Sequence, residues 1–232
     1  MGVNLPIVVY THTDMKDIWP MFFGQFKKYI DGIKVYVAVN KNDETIPSDY
    51  IQLVYDDTKV YTDRWKEILP KIEEEIILFL HEDMILFDKP KFNIIEKYYN
   101  YILNNQSNSI KLILAGEQFS ESDFDKSLLY NEYSKFSIQP TIVRKQVFLS
   151  TIESTGPLNI WNFEQAIVGT GRDYMVAIGG EKKRGLYHYD SLVFPYIATA
   201  INKGKWNYNE YQKELDELFT EYEINPFERG IS

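Results

Sequence analysis

The chain contains no cysteine, which excludes disulfides, thiolate metal ligands and a thiol nucleophile. Histidine is nearly as scarce: His12, His81 and His188 are the three in 232 residues. Positive charge is also short, since 25 lysines and arginines face 34 acidic residues for a net charge of −9. A duplex nucleic acid demands a basic face, so no nucleic-acid partner is expected. A phosphate ligand bound through a metal ion or a local basic loop remains compatible with that balance. No apolar run approaches the ~20 residues of a membrane span. Met1–Tyr10 has no basic region ahead of a long apolar one. The expectation is therefore a chain with no membrane span and no secretory signal, located in the cytoplasm.

What the chain does have is aromatic mass, with 18 tyrosines and 14 phenylalanines, and enough length for a sizeable core. Its most informative stretch is Glu75–Leu86. The run Ile76–Leu80 reads as a strand buried on both faces. His81, Glu82 and Asp83 interrupt it before Met84, Ile85 and Leu86 resume. A buried strand does not hide three consecutive ionisable groups without compensation. The strand is expected to end at His81 and to deliver a carboxylate cluster to the sheet's carboxyl edge, where open α/β sheets bind ligands. The plainer alternative is an acidic turn.

The rest of the first half alternates in the same way. Ile7–Tyr10 reads as a strand running into the polar tip Thr11, His12, Thr13 and Asp14. A helix capped by Asp17 follows, with Trp19, Phe22, Phe23, Phe26 and Ile30 on one stripe and Pro20 in its first turn. Strands are expected at Val35–Val39 and Ile51–Tyr55, the latter ending in Asp56 and Asp57. A helix from about Thr62 carries Trp65, Ile68, Leu69 and Ile72 inward, with Pro70 kinking or ending it. This β-α-β…β-α-β order is the signature of a wound α/β sheet.

The second half is less regular. Phe92–Leu103 reads as a helix and Ile110–Leu114 as a strand, with Ser120–Tyr133 a loop. Phe136–Val143 reads as a strand at an edge or bulge because of Pro140. A helix is expected at Arg144–Glu153, a strand at Asp173–Ile178, a basic loop at Gly179–Gly185, and helices at Leu192–Ile201 and Glu210–Tyr222. No linker or repeat interrupts the chain, so residues 1–232 are expected to form one domain.

The order of V-V-Y-T-H-T-D, a third strand ending in paired Asp, a T-D-R-W helix and a fourth strand ending in an acidic triplet resembles a small GT-A-fold glycosyltransferase. The likeness is to compact nucleotide-sugar transferases of bacteria and large DNA viruses. F-S-I-Q-P-T-I-V-R-K from Phe136, W-N-F-E ending at Glu164 and I-N-K-G-K-W from Ile201 resemble the acceptor-side half of those proteins. The resemblance implies one GT-A-like domain with a central mixed, mostly parallel sheet flanked by helices. Its nucleotide-binding half would span about residues 1–115 and its acceptor-side half about 116–232. It implies transfer of a sugar from a nucleoside diphosphate, UDP-linked, to a glycan or other hydroxyl acceptor, with inversion.

The family's triplet usually places Asp first and third; here His81 stands first. Asp83 is the expected ligand of Mn or Mg, a hard cation that offsets charge on the diphosphate leaving group. His81 is either a further ligand, favouring Mn, or a neutral side chain satisfied at the strand end. Glu82 would face the donor ribose or sugar, and His188 would be a late third ligand. Thr11, Thr13 and Asp14 lie where the family places base and ribose. Asp56 or Asp57 would accept from a base N–H, and Arg64 would reach a phosphate or hold those carboxylates by a forked pair. Lys183, in a basic run with Lys182 and Arg184, would close over the diphosphate. Glu164, between Trp161 and Phe163, is the candidate base for the acceptor hydroxyl. Glu117 is the reserve and Gln139 a candidate to orient a sugar. Two other readings fit less well: a sugar nucleotidyltransferase, whose Gly-rich loop Thr11–Asp17 lacks, and a non-catalytic carbohydrate-binding or scaffold domain.

Overall fold

A computed structural model describes residues 5–116, 118–132, 138–166, 171–184 and 188–232. In chain order the first half holds β1 (Ile7–Tyr10), α1 (Trp19–Tyr29), β2 (Val35–Val39), β3 (Ile51–Val54), α2 (Tyr61–Ile68), β4 (Ile76–His81) and α3 (Phe92–Leu103). The second half holds β5 (Ser109–Lys111), β6 (Phe119–Glu121), β7 (Leu128–Asn131), β8 (Thr141–Arg144), α4 (Lys145–Thr155), α5 (Ile160–Phe163) and β9 (Gly171–Ala177). Two small hairpins follow, β10 (Gly179–Arg184) with β11 (His188–Ser191) and β12 (Ile201–Asn202) with β13 (Lys205–Trp206), then α6 (Gln212–Glu221) and α7 (Pro226–Arg229).

Nine strands form one mixed sheet flanked by helices, in the order β3-β2-β1-β4-β8-β5-β9-β7-β6. β1 pairs in parallel with both β2 and β4, and β3 continues in parallel on β2. β8 enters antiparallel between β4 and β5, and β9 runs parallel to β5. This is the expected fold class, and it brings the carboxyl ends of β1 and β4 side by side, with Tyr10 opposite His81.

The apolar runs behave as strands covered on both faces. All of β1, β2 and β4 is buried, which removes the alternation that a half-solvated strand would show. Around Phe79 the covering helices are identifiable. Its ring stacks on Phe148 of α4 at 4.9 Å and meets Trp65 of α2 edge-on at 6.0 Å.

Several expectations are corrected. Asp17 does not cap α1, whose N-cap is Ile18 with no side-chain hydrogen bond; Asp17 instead pairs with Arg229. Residues 120–132 are not a loop but hold the β6–β7 hairpin, because β7 finds a partner in β9, and Tyr133 lies outside the described residues. The strand after Pro140 is internal rather than at an edge. Pro140 precedes the first paired residue, so its missing donor costs no ladder bond, while its carbonyl accepts from Leu112 N–H at 2.8 Å. The glycine- and lysine-rich stretch is strand β10 as far as Arg184; Gly185 lies outside the described residues. Gly179 is required there, since a Cβ would lie 2.7 Å from Tyr189 Cβ and 2.9 Å from Leu114 Cβ.

The largest correction is the segment 192–201, which is not helical. Its backbone groups pair instead with the chain that follows β4. Ile197 N–H donates to Ile85, Ala200 N–H to Asp83, Phe87 N–H to Pro195 and Lys91 N–H to Val193, at 2.8–3.1 Å. Pro195 would have left a helix one bond short; in this extended ladder it needs only its carbonyl.

Phe79→Ala is expected to destabilise the fold by about 3–5 kcal/mol, because the Trp65–Phe148 contact cannot close over the void. Urea unfolding at neutral pH measures this.

Candidate active site

β4 ends at His81, and there the side chains of His81, Glu82 and Asp83 part company. His81 stays in the core. Its Nε2 meets the Tyr61 hydroxyl at 2.9 Å and its ring stacks on Tyr10 at 5.0 Å. Burial pushes the imidazole down to about 3, so it is neutral. Glu82 is 8 % exposed, and its Oε2 is buried without a hydrogen-bond partner among the described residues. Burial pushes its carboxyl well above the ordinary range, the neighbouring Asp83 charge adds to this, and Arg229 opposes it. Asp83 is half-buried, and burial with the charge of Glu164 pushes it up to about 7.

Glu164 reaches the same crevice from the other half of the chain. It follows α5, whose start is capped by Asn159. The loop before α5 is stapled to α2: Thr62 Oγ1 donates to the Gly156 carbonyl at 3.0 Å and accepts from Leu158 N–H at 2.8 Å. Phe163 turns inward against Tyr61 and Phe148, so the next residue faces out. One Glu164 oxygen accepts from Ile138 N–H at 3.1 Å. Burial raises the carboxyl above its usual value, opposed by that hydrogen bond and by the charge of Lys111. Trp161, three residues earlier, is 68 % exposed.

The structure thus gathers Glu82, Asp83 and Glu164 by their fields, but it does not assemble the three-ligand set His81, Asp83 and His188. His188 Nε2 is bound to the Tyr211 hydroxyl at 2.7 Å. Among the described residues no three acidic or histidine side chains lie close enough to hold a metal unaided. The donor set that does exist is carboxylate oxygen. Arg229 offsets Glu82 and Lys111 offsets Glu164, whereas Asp83 pairs with no cation among the described residues. With the orphaned Glu82 Oε2, this suits a hard cation that takes one or two carboxylates and fills its shell with phosphate oxygen and water.

The remaining expected residues fall in two places. Thr11 is buried, its hydroxyl accepting from Trp19 Nε1 at 2.8 Å. Thr13 and Asp14 line a shallow concavity of about 410 Å³ with Lys16, Asp17, Gly204, Glu228 and Arg229. Asp57 accepts from Arg64 at 2.8 Å and from His12 at 3.0 Å, and Arg64 also donates to the Tyr10 hydroxyl. Asp56 is turned to Thr58. Lys183 is exposed on β10, and Arg184 is buried against Asp190 and Glu214. Gln139 holds the Tyr196 hydroxyl and the Ala198 carbonyl. Glu117 lies outside the described residues.

Two charged residues escaped the sequence reading. Lys111 interrupts an apolar run, the same signal that exposed the acidic triplet. Arg229 comes from the far end of the chain and no local pattern marks it.

No protein-family model and no curated protein matches the sequence. Solved structures do. The bifunctional IspDF from Campylobacter jejuni matches at TM-score 0.47 and 11% identity, over 83% of this chain and 52% of that one, so this chain spans about half its length. TarS 1-349 from S. aureus matches at 0.44 and 13% identity, over 98% and 68%. The mannosyltransferase PcManGT from Pyrobaculum calidifontis, in complex with GDP-Man and Mn2+, matches at 0.42 and 10% identity, over 77% and 58%.

The acidic crevice sets a pH dependence. Asp83 holds its proton more tightly folded than unfolded, so between about pH 4 and pH 7 the native state binds more protons and stability falls as pH rises. Asp83→Asn is expected to melt several degrees above the wild type at pH 8, with the two curves converging below pH 4. Thermal unfolding across that range checks it.

Proposed function

We propose that this chain is a metal-assisted glycosyltransferase, moving a sugar from a nucleoside diphosphate, UDP-linked, to a hydroxyl acceptor with inversion. The reading rests on one observation. Two adjacent carboxylates that follow β4 and a third from residue 164 lie within reach of one another's fields near the carboxyl ends of the parallel strands β1 and β4, and among the described residues Glu82 keeps a buried oxygen with no partner. A fold gains nothing from such a cluster, whereas diphosphate chemistry needs a seat for positive charge. The resemblance of the strand-end motifs to GT-A enzymes points the same way.

Asp83 and Glu82 would hold a divalent cation, Mn or Mg, whose charge offsets that of the departing diphosphate. Glu164 takes the proton of the acceptor hydroxyl as that oxygen forms its bond to the anomeric carbon and the bond to the diphosphate breaks. Its anchoring by Ile138 leaves one oxygen for this task. Its raised affinity for protons suits a base, and Trp161 offers a face on which an acceptor sugar stacks. The nucleoside would occupy the concavity bounded by Thr13 and Asp14. His81 supports the site from behind through Tyr61 and Tyr10 rather than as a ligand.

Calorimetric titration with UDP tests the binding half of this reading. Micromolar to sub-millimolar binding is expected with Mn and a large loss without it, and Asp83→Ala should abolish the metal dependence. Absence of UDP binding under both conditions would favour a non-catalytic domain. With a panel of nucleotide sugars, slow metal-dependent hydrolysis is expected. Glu164→Gln should lower transfer about 100-fold or more while leaving UDP affinity within about twofold.

A further inference from the structure

The first turn of α2 is capped from across the chain. Helices commonly satisfy one of their free N–H groups with a Ser, Thr, Asp or Asn at the N-cap. α2 instead begins after Val60, which has no side chain to accept with. Thr62 N–H donates to the Leu158 carbonyl at 3.2 Å. Thr62 is fully buried, and its hydroxyl accepts from Leu158 N–H at 2.8 Å and donates to the Gly156 carbonyl at 3.0 Å. A valine has the same shape but would keep only the first of these bonds.

The chain from Leu158 to Glu164 has little slack. Asn159 accepts from Asn162 N–H at 2.9 Å, and Glu164 N–H donates to Ile160 at 3.1 Å. Tyr61, next to Thr62, makes a second grip. Its ring lies 5.8 Å from that of Phe163 and 5.7 Å from that of His81, and its hydroxyl meets His81 Nε2 at 2.9 Å. Phe163 and His81 are the residues immediately before Glu164 and Glu82. A single buried side chain therefore touches the residue ahead of each carboxylate.

We propose that Tyr61 and Thr62 are positioning residues for Glu164: the start of α2 sets where that carboxylate stands relative to the turn carrying Glu82 and Asp83. Both act through the placement of Glu164 rather than on donor or acceptor. A base must lie within hydrogen-bond reach of the proton it takes, so a displacement of about 1 Å is felt in the rate. The inference rests on the reading of Glu164 as the base, and the test separates the two.

Backbone hydrogen exchange, read by NMR in the ligand-free protein, reports the fastening without any turnover. Thr62→Val is expected to speed exchange at Leu158 and Glu164 about tenfold or more, with β1 and β4 unchanged, and Thr62→Ser should restore protection. Unchanged exchange at these amides overturns the proposal. On a nucleotide sugar that the wild type turns over, Thr62→Val should lower kcat about tenfold or more with KM within about twofold, and Thr62→Ser should recover most of the rate. In a Glu164→Gln background the same substitution should cost little more, because its effect passes through Glu164. Losses that simply add, or an unchanged kcat, overturn the proposal. Tyr61→Phe deletes one hydroxyl and keeps the ring. It should move exchange and kcat the same way, by about threefold, and it serves if Thr62→Val does not fold. Exchange that responds in a protein turning over no nucleotide sugar supports the fastening of residues 158–164 and rejects Glu164 as a glycosyl-transfer base.

Discussion

Everything at this crevice depends on the cost of keeping Glu82 and Asp83 out of water. Two adjacent carboxylates at the end of a fully buried strand repel each other and lose hydration together. The fold places compensations at a distance: Arg229 for Glu82, Lys111 for Glu164, and for Asp83 no cation among the described residues. That uneven distribution separates a site from a structural ion-pair network. Elsewhere the molecule shows what a settled network looks like. Arg184 is buried with Asp190, Glu214 and the Glu210 carbonyl on its guanidinium, over the Tyr211 ring.

The two halves of the chain are joined by backbone as well as by side chains. The ladder between residues 83–91 and 193–200 fixes the acidic turn against the C-terminal half. The Thr62 staple fixes the α4–α5 loop against the N-terminal half. These two sutures bring Asp83 within reach of the Glu164 charge. Neither is a local preference of the segment concerned, and the helix expected over 192–201 gives way to the first of them.

Where local pattern and burial agreed, the sequence was readable. β1, β2, β4, α1 and α3 lie within a residue or two of their apolar runs, and Ile76–Leu80 announced a buried strand carrying charge to an edge. Legibility failed where the partner was distant. The β6–β7 hairpin exists because β9 is available, and β8 sits inside the sheet because Pro140 falls one residue short of the ladder. Of the site, the acidic triplet and Glu164 were legible from a charge following a strand and from aromatic flanks. Lys111 carried the same mark within K-L-I-L and was passed over as part of a strand. Arg229 pairs with Asp17 across 212 positions, a separation that no window of sequence spans. His81 and His188 each already have a tyrosine to bind, which residue type alone does not reveal.

The four tryptophans are distributed with an optical consequence. Trp19, Trp65 and Trp206 are sealed in the interior at 1 % exposure or less, while Trp161, three residues before Glu164, stands in water. A collisional quencher such as iodide would therefore dim one emitter and spare three. A ligand settling over that indole would shield it, so the native chain carries its own fluorescent gauge of what covers Trp161.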